Sequence, residues 1–479
     1  MALSHRWGPK GESPLSTTST NIRAHRKGIP LQAFPATFQD AIKVTRALGF
    51  KYIWIDSLCI IQDSTNDWIS ESAHMADIYT NATLTIAADF GTSPKAGLLP
   101  KTGTPKVREF THLDTEGISH RLFVRRDWPR PQGCPATQIN ACYASEAVSQ
   151  LDDRAWTMQE RVLSRRTVFF TNAELVWECD QIHECSCHNK LNRYTVRQAY
   201  KTLLAASKHD SLNGQRYWLK LVETFAARQL TYVTDRLPAL TGIASMVPFP
   251  AKDYLAGLWR GGLRHGLVWV NPLGRNSRRI EGTLDTFPKL AEEGINCRIS
   301  DHYAPSWSWA SIWGPAAFGY MMEEDAIGKD WHIINAQCTP RTSNPFGPVS
   351  EGFVEIEGSL IPITVQEELR NVEQLPNGKV AASRELCVVS KKREHVVGIS
   401  KTYMDADVGA REWEDESYDY FVFIVGVDSV TDLIPIGMIL RRPRLGLGDC
   451  YTRIGMSRLQ NWSQQDVQRE AERCHFRIV

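Results

Sequence analysis

Tyr52-Ile53-Trp54-Ile55-Asp56-Ser57-Leu58-Cys59-Ile60-Ile61-Gln62-Asp63 is the stretch on which the fold turns. Its first four residues are β-branched or aromatic, and they predict a buried strand. Upstream, apolar residues at Phe38, Ala41, Ile42, Val44 and Leu48 predict a helix from Phe38 to Leu48. Thr37 suits its cap, and Gly49 suits the position just past its end. A polar loop fills His5 to about Pro30, and Met1 to Ser4 reads as the tail of a first strand. Strand, helix, strand is the unit of a parallel α/β sheet, because parallel neighbours need a crossover. A mostly parallel sheet flanked by helices is therefore expected.

Downstream, a second helix is expected from Asp67 to Tyr79 and a strand within Asn81 to Ala88. Gly, Pro and polar clusters from about 91 to 149 mark a long insertion, with short strands such as Leu122-Phe123-Val124. Asp153 suits the cap of a third helix over Arg154 to Leu163, followed by strands Thr167–Thr171 and Leu175–Cys179. Residues 191–300 read as mainly helical and 301–479 as β-rich, which leaves 1–190 as the first domain. Trp307 and Trp309 alternate as on a strand and are expected in a core or interface. The apolar alternation of the C-terminal region, with no Pro/Gly/Ser linker before it, predicts that it packs on the first domain and restrains it.

The totals exclude several classes. The chain has 479 residues, of which 42% are hydrophobic and 23% charged, so it is globular. A net charge of +1 favours neither nucleic acid nor an anionic membrane. No run of eighteen apolar residues occurs, so no membrane span is expected. Eleven cysteines without a framework spacing read as reduced thiols of a cytoplasmic protein. No G-x-G-x-x-G or G-x-x-x-x-G-K-[ST] occurs, which argues against a Rossmann dehydrogenase or a P-loop ATPase.

Three blocks resemble the heterokaryon incompatibility (HET) domain family of filamentous fungi. They are Leu3-Ser4-His5-Arg6-Trp7-Gly8, the run from Tyr52 to Asp63 with Asp67-Trp68, Glu71, Met75 and Ile78-Tyr79, and Arg154-Ala155-Trp156-Thr157-Met158-Gln159-Glu160-Arg161 with Trp177-Glu178-Cys179. Asp235-Arg236-Leu237-Pro238 and Ala304-Pro305-Ser306-Trp307-Ser308-Trp309 resemble the C-terminal region common in such proteins. The family normally has residues before the first block, so a first strand beginning at Met1 is expected to be short. The resemblance implies a Toll/interleukin-receptor (TIR)-like, flavodoxin-like α/β domain. It implies a role in non-self recognition, innate immunity and programmed cell death. Self-association or pairing with NLR-type incompatibility proteins would follow, with no resident cofactor. The alternative is a TIR-like hydrolase that cleaves NAD to nicotinamide and ADP-ribose.

The lead catalytic candidate is Glu71. Trp68, Glu71, Met75 and Ile78 share one helix face, which is otherwise apolar. A carboxylate on an inward face is costly unless it is paired or lines a cleft. The rival is Glu160, which shares a face with Trp156 and Leu163 and has Arg154 and Arg161 close in sequence. Asp56 ends the strand, where it would project into a ligand crevice or cap the following turn. Ser4, His5 and Arg6 follow the first strand, where a cation would hold a phosphate. Trp68 completes the ligand-binding candidates. Cys59 sits between apolar residues and reads as inert. Cys179, His183, Cys185 and Cys187 offer metal ligands but lack paired C-x₂₋₄-C knuckles.

Overall fold

The computed structural model describes residues 1–8, 14–89, 91–98, 108–124, 149–171, 175–185, 195–272, 297–299, 303–318, 327–374, 380–390, 401–404, 417–428, 434–444, 449–459 and 462–479. The chain divides into two compact units, Met1–Arg197 and Gln198–Val479.

The first unit opens with β1 (Ala2–Ser4), then α1 (Ile22–Lys27), α2 (Ala36–Ala47), the single turn α3 (Asp56–Cys59), α4 (Thr65–Asn81) and β2 (Thr85–Ala87). A solvent-exposed hairpin, β3 (Arg108–Leu113) and β4 (Ser119–Val124), lies within the expected insertion, much of which falls outside the described residues. Then come α5 (Ala155–Leu163), β5 (Arg166–Phe170), β6 (Leu175–Cys179) and β7 (His183–Cys185). The five-stranded sheet has the order β1-β2-β5-β6-β7. The β1–β2 and β2–β5 pairings are parallel, while β5–β6 and β6–β7 are antiparallel. The sheet is therefore mixed rather than mostly parallel. The links from Phe170 to Leu175 and from Cys179 to His183 are too short for a crossover, so the chain must reverse.

The opening crossover has the expected parallel sense, but Tyr52–Ile55 is not a full strand. Trp54 makes one parallel bridge to Ala2. Leu3 N–H donates to the Trp54 carbonyl at 3.0 Å, and Trp54 N–H donates to the Met1 carbonyl at 2.8 Å. Extension stops because the Ile55 carbonyl already accepts from Leu58 and Cys59, which starts α3. Tyr52, outside the bridge, is 81% exposed.

α2 forms because Phe38, Ala41 and Thr45 bury one face against the sheet. Phe38 and Ala41 join Leu3, Ile55, Ile86 and Phe170 in a single core. Burial of Phe38 alone contributes roughly 1.5–3 kcal/mol. Gly49 lies past the helix end at φ +78°, a left-handed conformation natural to glycine. Thr37 is not the cap. It is buried inside the first turn and accepts from Gly97 N–H, while Pro35 precedes the helix. Asp153 likewise is not the cap: Arg154, in extended conformation, is the residue before α5, and Thr157 Oγ1 donates to its carbonyl at 2.8 Å. α4 has an orthodox cap, with Ser64 accepting from Asp67 N–H.

From Val196 the chain runs through α6 (Val196–His209), α7 (Ser211–Ala226) and α8 (Pro238–Ser245), then a small hairpin, β8 (Tyr254–Leu255) and β9 (Leu258–Trp259). An eight-stranded sheet follows between His332 and Ile478. Ile361, Val422, Ile439 and Trp462 are part of its core. Trp307 and Trp309 are fully buried in this unit, but on a turn capped by Ser308 rather than a strand. The Trp309 indole N–H donates to the Gly257 carbonyl at 3.2 Å. Gly257 turns the β8–β9 hairpin at φ +93° directly against that indole.

Candidate functional site

β1, the Trp54 bridge and β2 run parallel, so the residues leaving their C-terminal ends gather along one crest. His5, Arg6 and Trp7 follow β1, Asp56 follows the bridge, and Asp89 follows β2. α4 adds Tyr79 and α5 adds Glu160, with Arg154 at its start.

Asp56 is the anchor. It accepts from the Trp7 indole N–H at 2.7 Å and from Ser57 N–H at 2.7 Å. The turn-capping role and the crest position thus coexist in one carboxylate. His5 Nδ1 lies 3.6 Å from its other side-chain contact, Asp56 Oδ1. His5 is 3% exposed, and its ring packs edge-on against Phe38 at 4.9 Å. Burial lowers its pKa and Arg154 adds to that, against the opposing charge of Asp56. Burial therefore disfavours the charged form of His5. Arg154 donates to the His5 carbonyl at 2.7 Å, and Arg6 donates to Gln150 Oε1 at 2.9 Å.

Glu160 lies beneath the crest, 5% exposed. Burial first, and the charge of Asp56 second, push its carboxyl up to about 7, against hydrogen bonds from Ser4 and Tyr79 and the charge of Arg154. Its Oε2 is buried without a hydrogen-bond partner. The Tyr79 hydroxyl, which has one proton, lies 3.1 Å from the Leu3 carbonyl, so it donates either there or to Glu160. Glu160, Ser4, Thr85, Asp152, Thr157 and Arg161 line a small cavity, with room for about one water molecule. A carboxyl poised near neutrality beside such a cavity can give or take a proton.

Glu71 is half-buried on α4 and outside the lining of that cavity. On its helix Met75 is buried, while Trp68 and Ile78 are half-buried. Trp68 packs edge-on against Trp156 at 6.3 Å. Cys59 lies exposed on α3 rather than buried among its apolar neighbours, although desolvation of its thiol, and then the charges of Asp56 and Glu71, raise it above its ordinary value.

Glu178 pairs with His183, and Val176 pairs with Cys185. Cys185 is disulfide-bonded, so uniformly reduced thiols do not hold. Cys179 is free. Cys187 lies outside the described residues. Among the described residues no group of His, Cys, Asp and Glu is placed to hold a metal.

The sequence reading missed Tyr79, Asp89 and Trp7 as crest residues. Asp89 was findable, since it follows a buried strand as Asp56 follows Ile55. Tyr79 had no such signal, because an aromatic residue on an apolar helix face reads as core.

The first unit is thus an α/β domain with a buried polar crest. Residues 1–160 match the family model described as heterokaryon incompatibility protein (HET), so the N-terminal part of the chain is similar to that family. Comparison with curated proteins and with solved structures returned no match. No helix among the described residues is long and apolar enough to cross a membrane.

Proposed function

We propose that this chain is a cytoplasmic effector of heterokaryon incompatibility whose HET domain signals by self-association, alone or with NLR-type partners. The observation that carries this over an enzymatic reading is the closure of the crest. Asp56 and Arg6 are committed to neighbouring side chains, and Arg154 donates to a backbone carbonyl. The cavity beside Glu160 has room for about one water and not for a dinucleotide. Light scattering of the purified chain tests the proposal, together with its expression in a fungal host. Self-association that tracks cell death supports it. A chain that stays monomeric while killing the host refutes it.

One observation favours the alternative, a TIR-like NAD glycohydrolase. Glu160 is a buried carboxyl held near neutrality, with an unpartnered oxygen, at the crest where α/β sheets bind ligands. On this reading Glu160 is a better acid–base group than Glu71. Incubation with NAD decides it. Nicotinamide release abolished by Glu160→Gln but kept in Glu71→Ala supports Glu160, the reverse supports Glu71, and no release removes the alternative.

A further inference from the structure

The segment Ser149–Asp153 runs over the crest and is tied down through Ser149, Gln150, Leu151 and Asp152. Ser149 Oγ donates to Asp89 Oδ1 at 2.8 Å, and Leu151 N–H donates to the same oxygen at 3.0 Å. Gln150 accepts from Arg6 at 2.9 Å. Asp152 accepts from Arg161 at 3.1 Å, and the Leu151 carbonyl accepts from Thr157 Oγ1. Leu151 and Asp152 wall the cavity beside Glu160. Two tethers therefore converge on one carboxyl, Asp89, which is 7% exposed.

We propose that Ser149–Asp153 is a strap latched over the crest by the protonated Asp89 carboxyl, and that it loosens as this carboxyl ionises. The proposal concerns regulation of the crest and rests on reading that crest as the working edge of the HET domain. The physical reason is hydration. A protonated Asp89 accepts both tethers without bringing a charge into the interior. An ionised Asp89 is a buried anion, which water stabilises only if the strap lifts. The charged groups facing it are Arg6 after β1, Arg161 on α5 and Asp152 on the strap itself. Asp152 repels it, and the two arginines are already shared with Gln150 and Asp152.

The sign follows from linkage. Burial raises the Asp89 carboxyl from 3.8 to about 7, against its hydrogen bonds to Leu151 and Ser149. A lifted strap returns it toward its ordinary value. Closure is thus fully favoured at acid pH, and its advantage is lost as pH rises through about 7. Across that window the opening equilibrium grows by up to about tenfold per pH unit.

Hydrogen exchange of peptides covering Ser149–Asp153 tests this on the full chain, with rates corrected for intrinsic exchange at each pH. Between about pH 5 and about pH 8, protection in the wild type is expected to fall by about tenfold or more. Asp89→Asn keeps the accepting oxygen and cannot ionise, so its protection should be flat with pH. Ser149→Ala should lower protection at every pH and keep the slope. Glu160→Gln should also keep the slope, which separates the latch from the neighbouring carboxyl. A flat wild-type profile overturns the proposal, as does a slope that survives in Asp89→Asn or vanishes in Glu160→Gln. Should Asp89→Asn not fold, the wild-type and Glu160→Gln profiles decide. The assay reads the strap alone, so its failure leaves the signalling reading to stand or fall on self-association.

Discussion

Replacing Glu160 with glutamine should stabilise the first unit above neutral pH and do little in mild acid. The wild-type carboxyl sits at about 7 against an ordinary value of 4.5, with burial as the first cause and the charge of Asp56 as the second. A raised carboxyl contributes stability that is fully present below the unfolded value and lost as pH rises through the folded one. Once pH exceeds both, the folded state has forfeited about 3 kcal/mol relative to a group that cannot ionise. Glutamine has nearly the same volume and keeps an acceptor for Ser4 and Tyr79. Its amide must find a partner where Oε2 has none, which offsets about 1 kcal/mol of the gain. A net gain of about 2 kcal/mol is therefore expected near pH 8.5, shrinking to zero or a slight loss near pH 4.5. The assay is urea unfolding of the full chain with pulsed hydrogen exchange read on peptides from α5 and β5. That isolates the first unit's transition from the second's, which two units in one chain require. Equal stability differences at the two pH values would show that Glu160 does not titrate between them, and the electrostatic reading of the crest would fail.

Three further outcomes are expected. Arg161→Ala should cost the first unit roughly 3–5 kcal/mol, because Glu178, 2% exposed, loses the guanidinium that donates to it at 2.9 Å; an unchanged melting temperature would refute this. Gly257→Ala should cost at least about 2 kcal/mol, since the residue sits at φ +93° and an added Cβ would lie 2.6 Å from the Trp309 indole nitrogen; wild-type melting of the second unit would refute it. Residues 1–197 expressed alone should fold, because Met1–Arg197 is one compact unit; if this piece folds yet is no more toxic or self-associating than the full chain, restraint by the C-terminal region is excluded.

Local pattern carried much of the first unit. The spacing of Phe38, Ala41 and Val44, with Gly49 behind them, marks α2 because one helix face must be apolar to pack on a sheet. The run ending at Ile55 marks the parallel crossover for a similar reason, since a buried segment after a helix needs a partner on the same sheet. The β-rich character beyond residue 300 is equally local, written in alternation such as Val354, Ile356 and Leu360. The strand directions of the sheet and the composition of the crest were not local. Ser4, Asp56 and Glu160 come together only because the parallel strands end on the same side and α5 brings Glu160 to them. Burial disfavours the charged form of His5 and pushes the Glu160 carboxyl up to about 7. Residue type states which proton a group can carry, whereas the surrounding dielectric and charges, which exist only after folding, decide whether it carries it.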